Sequence, residues 1–138
     1  MFAGCTSLTT VTGMSGVSSI PNYMFTDCTN LTTVDISLSN LPNIGNYAFN
    51  NCTSLQLTIT DSTLSFTDTG RSAFQNTRIT FPQNLTISTI NNNLSLTNKD
   101  VLRAAFYGTT LYNVTLDSSI KTVSANAFEN SHMKSIDA

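Results

Sequence analysis

The residues of this chain with the most reactive side chains are three cysteines, Cys5, Cys28 and Cys52. Consecutive thiols are 23 and 24 residues apart, a regular spacing that indicates equivalent positions of a repeat. Side chains stacked in such a column run parallel instead of converging, and three thiols leave one unpaired. We expect buried free thiols, with a disulfide or a metal site as the alternatives.

Other candidates for chemistry are few. Zinc would need histidine partners, and the chain has one histidine, His132. A catalytic histidine also needs a second group to orient it and a pocket that excludes water. The carboxylates lie mostly at predicted turns, and the two exceptions, Asp35 and Asp117, form no acid–base pair. We therefore predict a protein that is not an enzyme, binds no metal and uses no cofactor.

The elements that position these residues form an internal repeat, whose clearest copy runs from Asn43 to Ile59. Its centre is Ala48-Phe49, with a cysteine three residues after the Phe and a leucine three residues after the cysteine. The Phe recurs as Phe2, Phe25, Phe49, Phe74, Phe106 and Phe128. The position three residues later holds Cys5, Cys28, Cys52, Thr77, Thr109 and Ser131. Six copies in register predict a repeat protein, in which this position takes a small buried residue rather than a required thiol.

Each copy predicts one strand with a single buried face. In the second copy, Val34 and Ile36 point to one side because successive side chains of a strand alternate, and Thr33 therefore points outward. A turn follows, and then a short helical turn that presents the Phe. A unit of roughly 23 residues cannot bury its apolar face alone, but stacked units bury a continuous core. We predict a repeat solenoid of five to six coils, mainly β with short parallel strands and short helical or 3-10 turns.

The fourth coil, from Phe74 to Phe106, is longer than the others. Two extra short strands are predicted within it, at 85–87 and 94–96, followed by a helix that begins at Asn98 and continues through Ala105. Insertions in repeat proteins often project from one face and carry a binding site. Drift in loop length without a function is the alternative interpretation.

The segment from Ile44 to Leu55, which reads IGNYAFNNCTSL, resembles the BspA-type leucine-rich repeats, whose pattern is roughly I-G-x-x-A-F-x-x-C-x-x-L. Residues 20–25 and 124–128 match the pattern more loosely, and the resemblance covers most of the chain. It implies a leucine-rich-repeat solenoid. It also implies a surface protein of the kind found on host-associated bacteria and some protozoa, where such repeats are implicated in adhesion. The positions of the motif are structural, so the resemblance assigns no site residue.

Composition and charge exclude two classes of function. Charged residues make up 10% of the chain and the net charge is −2, so the six Lys and Arg residues form no basic stripe for a nucleic acid. No apolar run reaches the roughly 18 residues of a membrane span. Residues 1–138 are predicted to form a single solenoid whose ends fall in mid-repeat, so we expect a segment of a longer protein, without its signal peptide.

The function predicted from these features is recognition or adhesion at a cell surface or in the extracellular space, through the strand face of the solenoid. The partner expected is a protein or a glycan, for example of a host matrix, bound through many modest contacts. The outward residues predicted to bind it are Thr33, Asp35, Gln56, Thr58, Thr60, Arg78, Thr80, Asn113, Thr115 and Asp117. They differ from coil to coil, which argues against a regular array that binds ice. The alternative is a structural or assembly module, a spacer or a fibre component of a phage or cell surface, which self-associates end to end.

Overall fold

The computed structural model of the chain describes residues 1–36, 42–67, 69–89, 102–120, 122–124 and 126–137. These residues wind into a β-solenoid of about five turns with coils of about 23 residues. The predicted repeat solenoid and its coil length are confirmed. The described coils have three sides, and on each side the backbone of one coil hydrogen-bonds to the next.

Two of the three sides are parallel sheets. The strands are β1 (Thr10–Val11), β2 (Ser19–Ile20), β3 (Thr33–Val34), β4 (Asn43–Ile44), β5 (Thr63–Phe66), β6 (Asn84–Thr89), β7 (Asn113–Leu116) and β8 (Ser135–Asp137). Strands β1 and β3 pair on the first side. Single bridges from Thr58 to Thr80 and from Thr80 to Thr110 continue this side along the later coils. The other six strands form one sheet in the order β2-β4-β5-β6-β7-β8. We call the outward surface of the first side face A and that of the six-stranded sheet face B.

The third side is formed by the Ala-Phe segments of the repeat. The N–H group of each Phe donates to the carbonyl of the residue that precedes the Phe of the next coil. The pairs are Phe2 to Met24, Phe25 to Ala48, Phe49 to Ala73 and Phe74 to Ala105, each at 2.9 Å, and Phe106 to Ala127 at 3.0 Å. These bonds satisfy backbone groups that the buried turns would otherwise leave without partners.

These segments are turns, and the residues that the structure describes include no helix. The residues two before and two after each central Phe adopt positive φ, as Tyr47 (58°) and Asn51 (59°) do around Phe49. A helix needs negative φ at every residue, so the predicted short helical turn is not formed. Of the helix predicted from Asn98 to Ala105, residues 98–101 lie outside the described ranges and 102–108 form turns.

The core is a column of phenylalanine rings along the solenoid axis. Consecutive rings are stacked from Phe2 through Phe25, Phe49, Phe74 and Phe106 to Phe128, with centroids 5.4 to 5.8 Å apart. The four inner rings are fully buried. Continuous stacking explains why one Phe per coil is sufficient to define the repeat.

Coil four contributes β6 to face B in the regular position. Leu85 pairs with Val114 of β7, and Ile87 pairs with Leu64 of β5, so residues 85–87 belong to the main sheet. They were predicted to be an extra strand. The predicted strand is formed, but it is not an extra one, because the parallel register continues from β5 through β6 to β7. The second predicted extra strand, residues 94–96, lies outside the described residues.

Candidate functional site

The ten residues predicted to bind a partner do not share one face. Thr33 and Asp35, the alternating residues from Gln56 to Thr60, and Arg78 and Thr80 lie along face A. Residues Asn113 and Thr115 lie in β7, and Asp117 directly follows it, so these three belong to face B. Coil five reaches face A at Thr110 and enters the six-stranded sheet only three residues later. A single strand face was predicted from the sequence, and this short connection is the reason that two faces are involved.

Face A presents exposed hydroxyl and amide side chains on a hydrogen-bonded backbone. Thr33 pairs with Thr10 of coil one, and their hydroxyl oxygens lie 3.2 Å apart. In coil three, Gln56, Thr58 and Thr60 are exposed, and they alternate with the buried Leu55 and Ile59 and the half-buried Leu57. The predicted alternation is confirmed, although only Thr58 forms a strand-like bridge there.

The Asp35 carboxylate holds the backbone of the preceding coil. Its Oδ2 accepts from the N–H of Gly13 at 2.8 Å, and its Oδ1 accepts from the N–H of Met14 at 2.6 Å. Hydrogen bonds to an ionised carboxylate are stronger than those between neutral groups. Asp35 was predicted to contact a partner. In the structure it lies in coil two, and its carboxylate binds this turn of coil one.

Asp117 also has a local partner. Its Oδ1 accepts from the backbone N–H of Ser119 at 2.7 Å and from the hydroxyl of the same serine. The Ser119 hydroxyl in turn accepts from the N–H of Thr89 at 2.9 Å, which ties the turn after β7 to the end of β6. An aspartate two residues before a serine is a turn signal that the sequence contained.

A groove between coils four and five lies on face A. It encloses about 340 Å³, and Arg78 and Thr80 line one side, with Gly108, Thr110 and Tyr112 on the other. The Nζ of Lys134 lies 5.8 Å from the centre of the Tyr112 ring. Sequence reasoning identified Arg78 and Thr80 but missed Thr110 and Tyr112. The alternation of Thr110 and Tyr112 around the buried Leu111 was the available signal.

A second groove lies where the first two coils meet coil three. It encloses about 410 Å³ and its lining includes Ser18, Asn43, Asp61 and Thr63. The Oδ1 of Asp61 accepts from the N–H of Thr63 at 3.1 Å. None of the predicted binding residues lines this groove.

An aromatic pair is exposed on the third side of the solenoid. The rings of Tyr23 and Tyr47 are stacked with centroids 4.8 Å apart, and Tyr23 is 47% exposed. The guanidinium carbon of Arg71 lies 5.5 Å from the centre of the Tyr47 ring. Both tyrosines lie two residues before a repeat Phe, at the position with positive φ, so the repeat itself sets their orientation.

The cysteines behave largely as predicted. Cys28 and Cys52 are buried free thiols, and their Sγ–H groups donate to the carbonyls of Phe2 and Phe25, at 2.9 and 3.0 Å. Burial raises the pKa of Cys28, and it raises the pKa of Cys52 to about 12. Cys5 is exposed, so the expectation of burial was wrong there.

In the later coils, the residues three positions after the repeat Phe show why this position needs no thiol. Thr77 and Thr109 are buried, and each hydroxyl donates to the Phe carbonyl of its own coil, at 2.9 and 2.7 Å. Any small donor therefore satisfies the position. Across the described ranges, no group of three or more His, Cys, Asp or Glu side chains could hold a metal ion. His132 is exposed and lies in the turn after the last Phe.

Stacked parallel coils around a phenylalanine column, with polar outward faces, define a solenoid of short leucine-rich-repeat units. The family model for the BspA type leucine rich repeat region matches residues 1–94 and 83–138, with six copies. The chain belongs to this family. Comparisons with curated proteins and with solved structures give no match.

The family is consistent with a surface repeat or binding module, and solenoids of this type are typically non-enzymatic scaffolds. Family members are generally associated with cell surfaces. Within the described ranges, the chain contains no helix that is long and apolar enough to cross a membrane.

Proposed function

We propose that this chain is a recognition module that binds a protein or glycan partner at a cell surface through face A. The observation that carries the proposal is the row formed by Thr58, Thr80 and Thr110, which are exposed side by side on paired backbone. Such a surface is rigid before the partner arrives. Binding to it therefore costs little ordering of the backbone, which favours affinity from many modest contacts.

Face B is less suited to this role because its outward polar groups already bind one another. The Nδ2 of Asn113 donates to the Oδ1 of Asn84 at 3.0 Å, and the hydroxyl of Ser135 donates to the Oδ1 of Asn113 at 2.8 Å. The hydroxyls of Ser65 and Ser88 lie 2.8 Å apart. A partner on face B would have to replace these bonds, and each replacement gains little free energy.

Three side chains of face A in coils three and four are available by comparison. Gln56, Thr58 and Thr80 are exposed, and their side chains form no hydrogen bond to any residue that the structure describes. A partner can satisfy these donors and acceptors without breaking an existing bond. This difference between the two faces supports recognition through face A.

The test is binding of the recombinant chain to a panel of matrix proteins, host cells and glycans. The face A variant carries Thr58→Lys and Thr80→Lys, and the matched face B variant carries Thr63→Lys and Thr115→Lys. All four threonines are exposed, so both variants should keep the fold, which circular dichroism and thermal denaturation check. We expect saturable binding that the face A variant loses and the face B variant keeps.

Two other outcomes contradict this proposal. Binding that only the face B variant loses would place the site on the six-stranded sheet. Binding to no member of the panel, together with an ordered oligomer by light scattering, would favour a structural assembly module.

A further inference from the structure

We propose that the groove between coils four and five binds a carboxylate-bearing sugar residue of an acidic glycan. This inference rests on the proposed function and specifies the ligand of face A. The groove encloses about 340 Å³, which lies in the range of about 300–1,000 Å³ usual for small-ligand sites. It is large enough for one sugar ring, with the rest of the glycan continuing along face A.

The charge of the groove selects an anion. Arg78 is exposed, and its guanidinium makes no ion pair or hydrogen bond with any residue that the structure describes. Its planar set of donors suits a carboxylate, which it can hold through two parallel hydrogen bonds. Among the residues that the structure describes, no carboxylate lines the groove, and Lys134 adds a second positive charge beside Tyr112.

The remaining side chains suit a sugar. Thr80 and Thr110 are exposed, and each supplies a hydroxyl that can donate to and accept from the hydroxyls of a saccharide. Tyr112 is 37% exposed and offers an apolar ring with a polar end. Gly108 has a φ of 72°, and a Cβ atom there would lie 3.0 Å from the Oδ1 of Asn76.

The backbone argues for a glycan rather than an acidic peptide that adds as a strand. The N–H of Thr80 donates to the carbonyl of Leu57, and the carbonyl of Thr80 accepts from Ile59, both at 2.8 Å. Thr80 also pairs with Thr110 on its other side. An added strand needs free backbone groups at a sheet edge. Coil five also bonds to the last coil, from the N–H of Leu111 to the carbonyl of Ser131 and from the N–H of Lys134 to the carbonyl of Tyr112, both at 2.9 Å, so the groove does not lie at a free edge. The ligand is therefore recognised through side chains.

The test is calorimetric titration of the recombinant chain with tetrasaccharides that contain glucuronate, iduronate or sialate. Each is compared with a neutral form in which the carboxyl group is reduced to an alcohol. We expect at least one acidic tetrasaccharide to bind at least 10-fold more tightly than its reduced form. The Arg78→Gln variant should lose a similar factor, and Lys134→Gln a smaller one.

Arg103→Gln is the matched control, because Arg103 is an exposed arginine in a turn outside the groove lining. It should leave the affinity unchanged. The inference is overturned if the acidic and reduced forms bind equally, if Arg78→Gln and Arg103→Gln have the same effect, or if no acidic form binds. If no acidic form binds while a protein partner binds face A, the inference is overturned and the proposed function stays in place.

Discussion

The N–H group of Phe49 donates to the carbonyl of Ala73 at 2.9 Å, and this bond joins coil three to coil four. Both residues are fully buried, so the bond lies inside the stack rather than on its surface. The residue before the Phe is alanine in four of the six copies, and Met24 accepts the equivalent bond from Phe2 at 2.9 Å. The Ala-Phe pair thus specifies a backbone contact between coils as well as a core ring.

The first prediction concerns the ring column. Phe74 stacks on Phe49 and Phe106 and meets Phe66 and Phe81 edge-on. Phe74→Ala should reduce the free energy of unfolding by about 3–5 kcal/mol, since it removes a buried ring and leaves a cavity. Urea denaturation followed by circular dichroism measures the loss.

Phe128→Ala is the control for this change. Phe128 is half-buried and stacks on one ring, Phe106, so its loss should cost less. Equal losses of stability from the two substitutions would contradict a ring column that packs more closely around Phe74 than around Phe128.

The second prediction concerns close approach of the backbone at Gly45. A Cβ atom there would lie 2.6 Å from the backbone nitrogen of Asn22 and 2.8 Å from the carbonyl carbon of Pro21. Gly45→Ala should therefore destabilise the chain by about 1–3 kcal/mol, as overpacking typically does. Thermal denaturation of this variant and of Gly16→Ala provides the comparison.

Gly16 is the matched site because a Cβ atom there would meet no atom within 4 Å. Gly16→Ala should be neutral or slightly stabilising, because it restricts the unfolded chain. If both substitutions were neutral, coils one and two could not lie as close as the structure has them.

The third prediction separates structure from recognition at Asp35. Asp35→Ala leaves the N–H groups of Gly13 and Met14 without their acceptor, at a cost of about 1–3 kcal/mol. Amide hydrogen exchange should become faster at these two residues. The control Asp137→Ala changes an exposed carboxylate of β8 and should leave exchange at Gly13 unaltered. Unchanged exchange in the Asp35→Ala variant would show that the carboxylate does not hold this turn.

The fourth prediction is a dependence of stability on alkaline pH. Burial raises the pKa of Cys52 to about 12, whereas an unfolded thiol ionises near about 8.5. Above the pKa of the unfolded thiol, the unfolded state has released a proton that the folded state keeps. The free energy of unfolding therefore falls as pH rises towards the pKa of the folded thiol. The cost for this one group is about 1.4 kcal/mol for each pH unit.

Denaturation between pH 8 and pH 11 tests this dependence. The Cys52→Ser variant should lose stability less steeply with pH than the natural chain, because the serine hydroxyl does not ionise in this range. The fold should accept serine there, since Ser131 fills the same repeat position. Parallel pH curves for the two proteins would contradict the assignment of the slope to Cys52.

The repeat and its core could be predicted from the sequence because both depend on the spacing of a few residue types. The Phe column, the buried small position after it and the outward threonines all follow from that spacing. The division into two faces could not be predicted, because it depends on the short connection from Thr110 to Asn113. The role of Asp35 was hidden for a similar reason, as its partners lie 21 and 22 residues away in another coil.

The turns around each Phe were also misread. The motif was expected to form a short helical turn, but it alternates between negative and positive φ. Residues such as Asn51 and Asn76 tolerate the left-handed region and hydrogen-bond to each other through their side chains at 3.0 Å. Asparagine at this position is the sequence signal that favours a turn over a helix.

Methyl NMR of threonine-labelled protein, titrated with a partner found in the binding panel, tests the central claim most directly. Threonines report on both outward surfaces. Those of face A are Thr33, Thr58, Thr80 and Thr110, and those of face B are Thr63, Thr86 and Thr115. Recognition through face A predicts that the partner shifts the first group and leaves the second unchanged. Shifts confined to Thr63, Thr86 and Thr115 would contradict it.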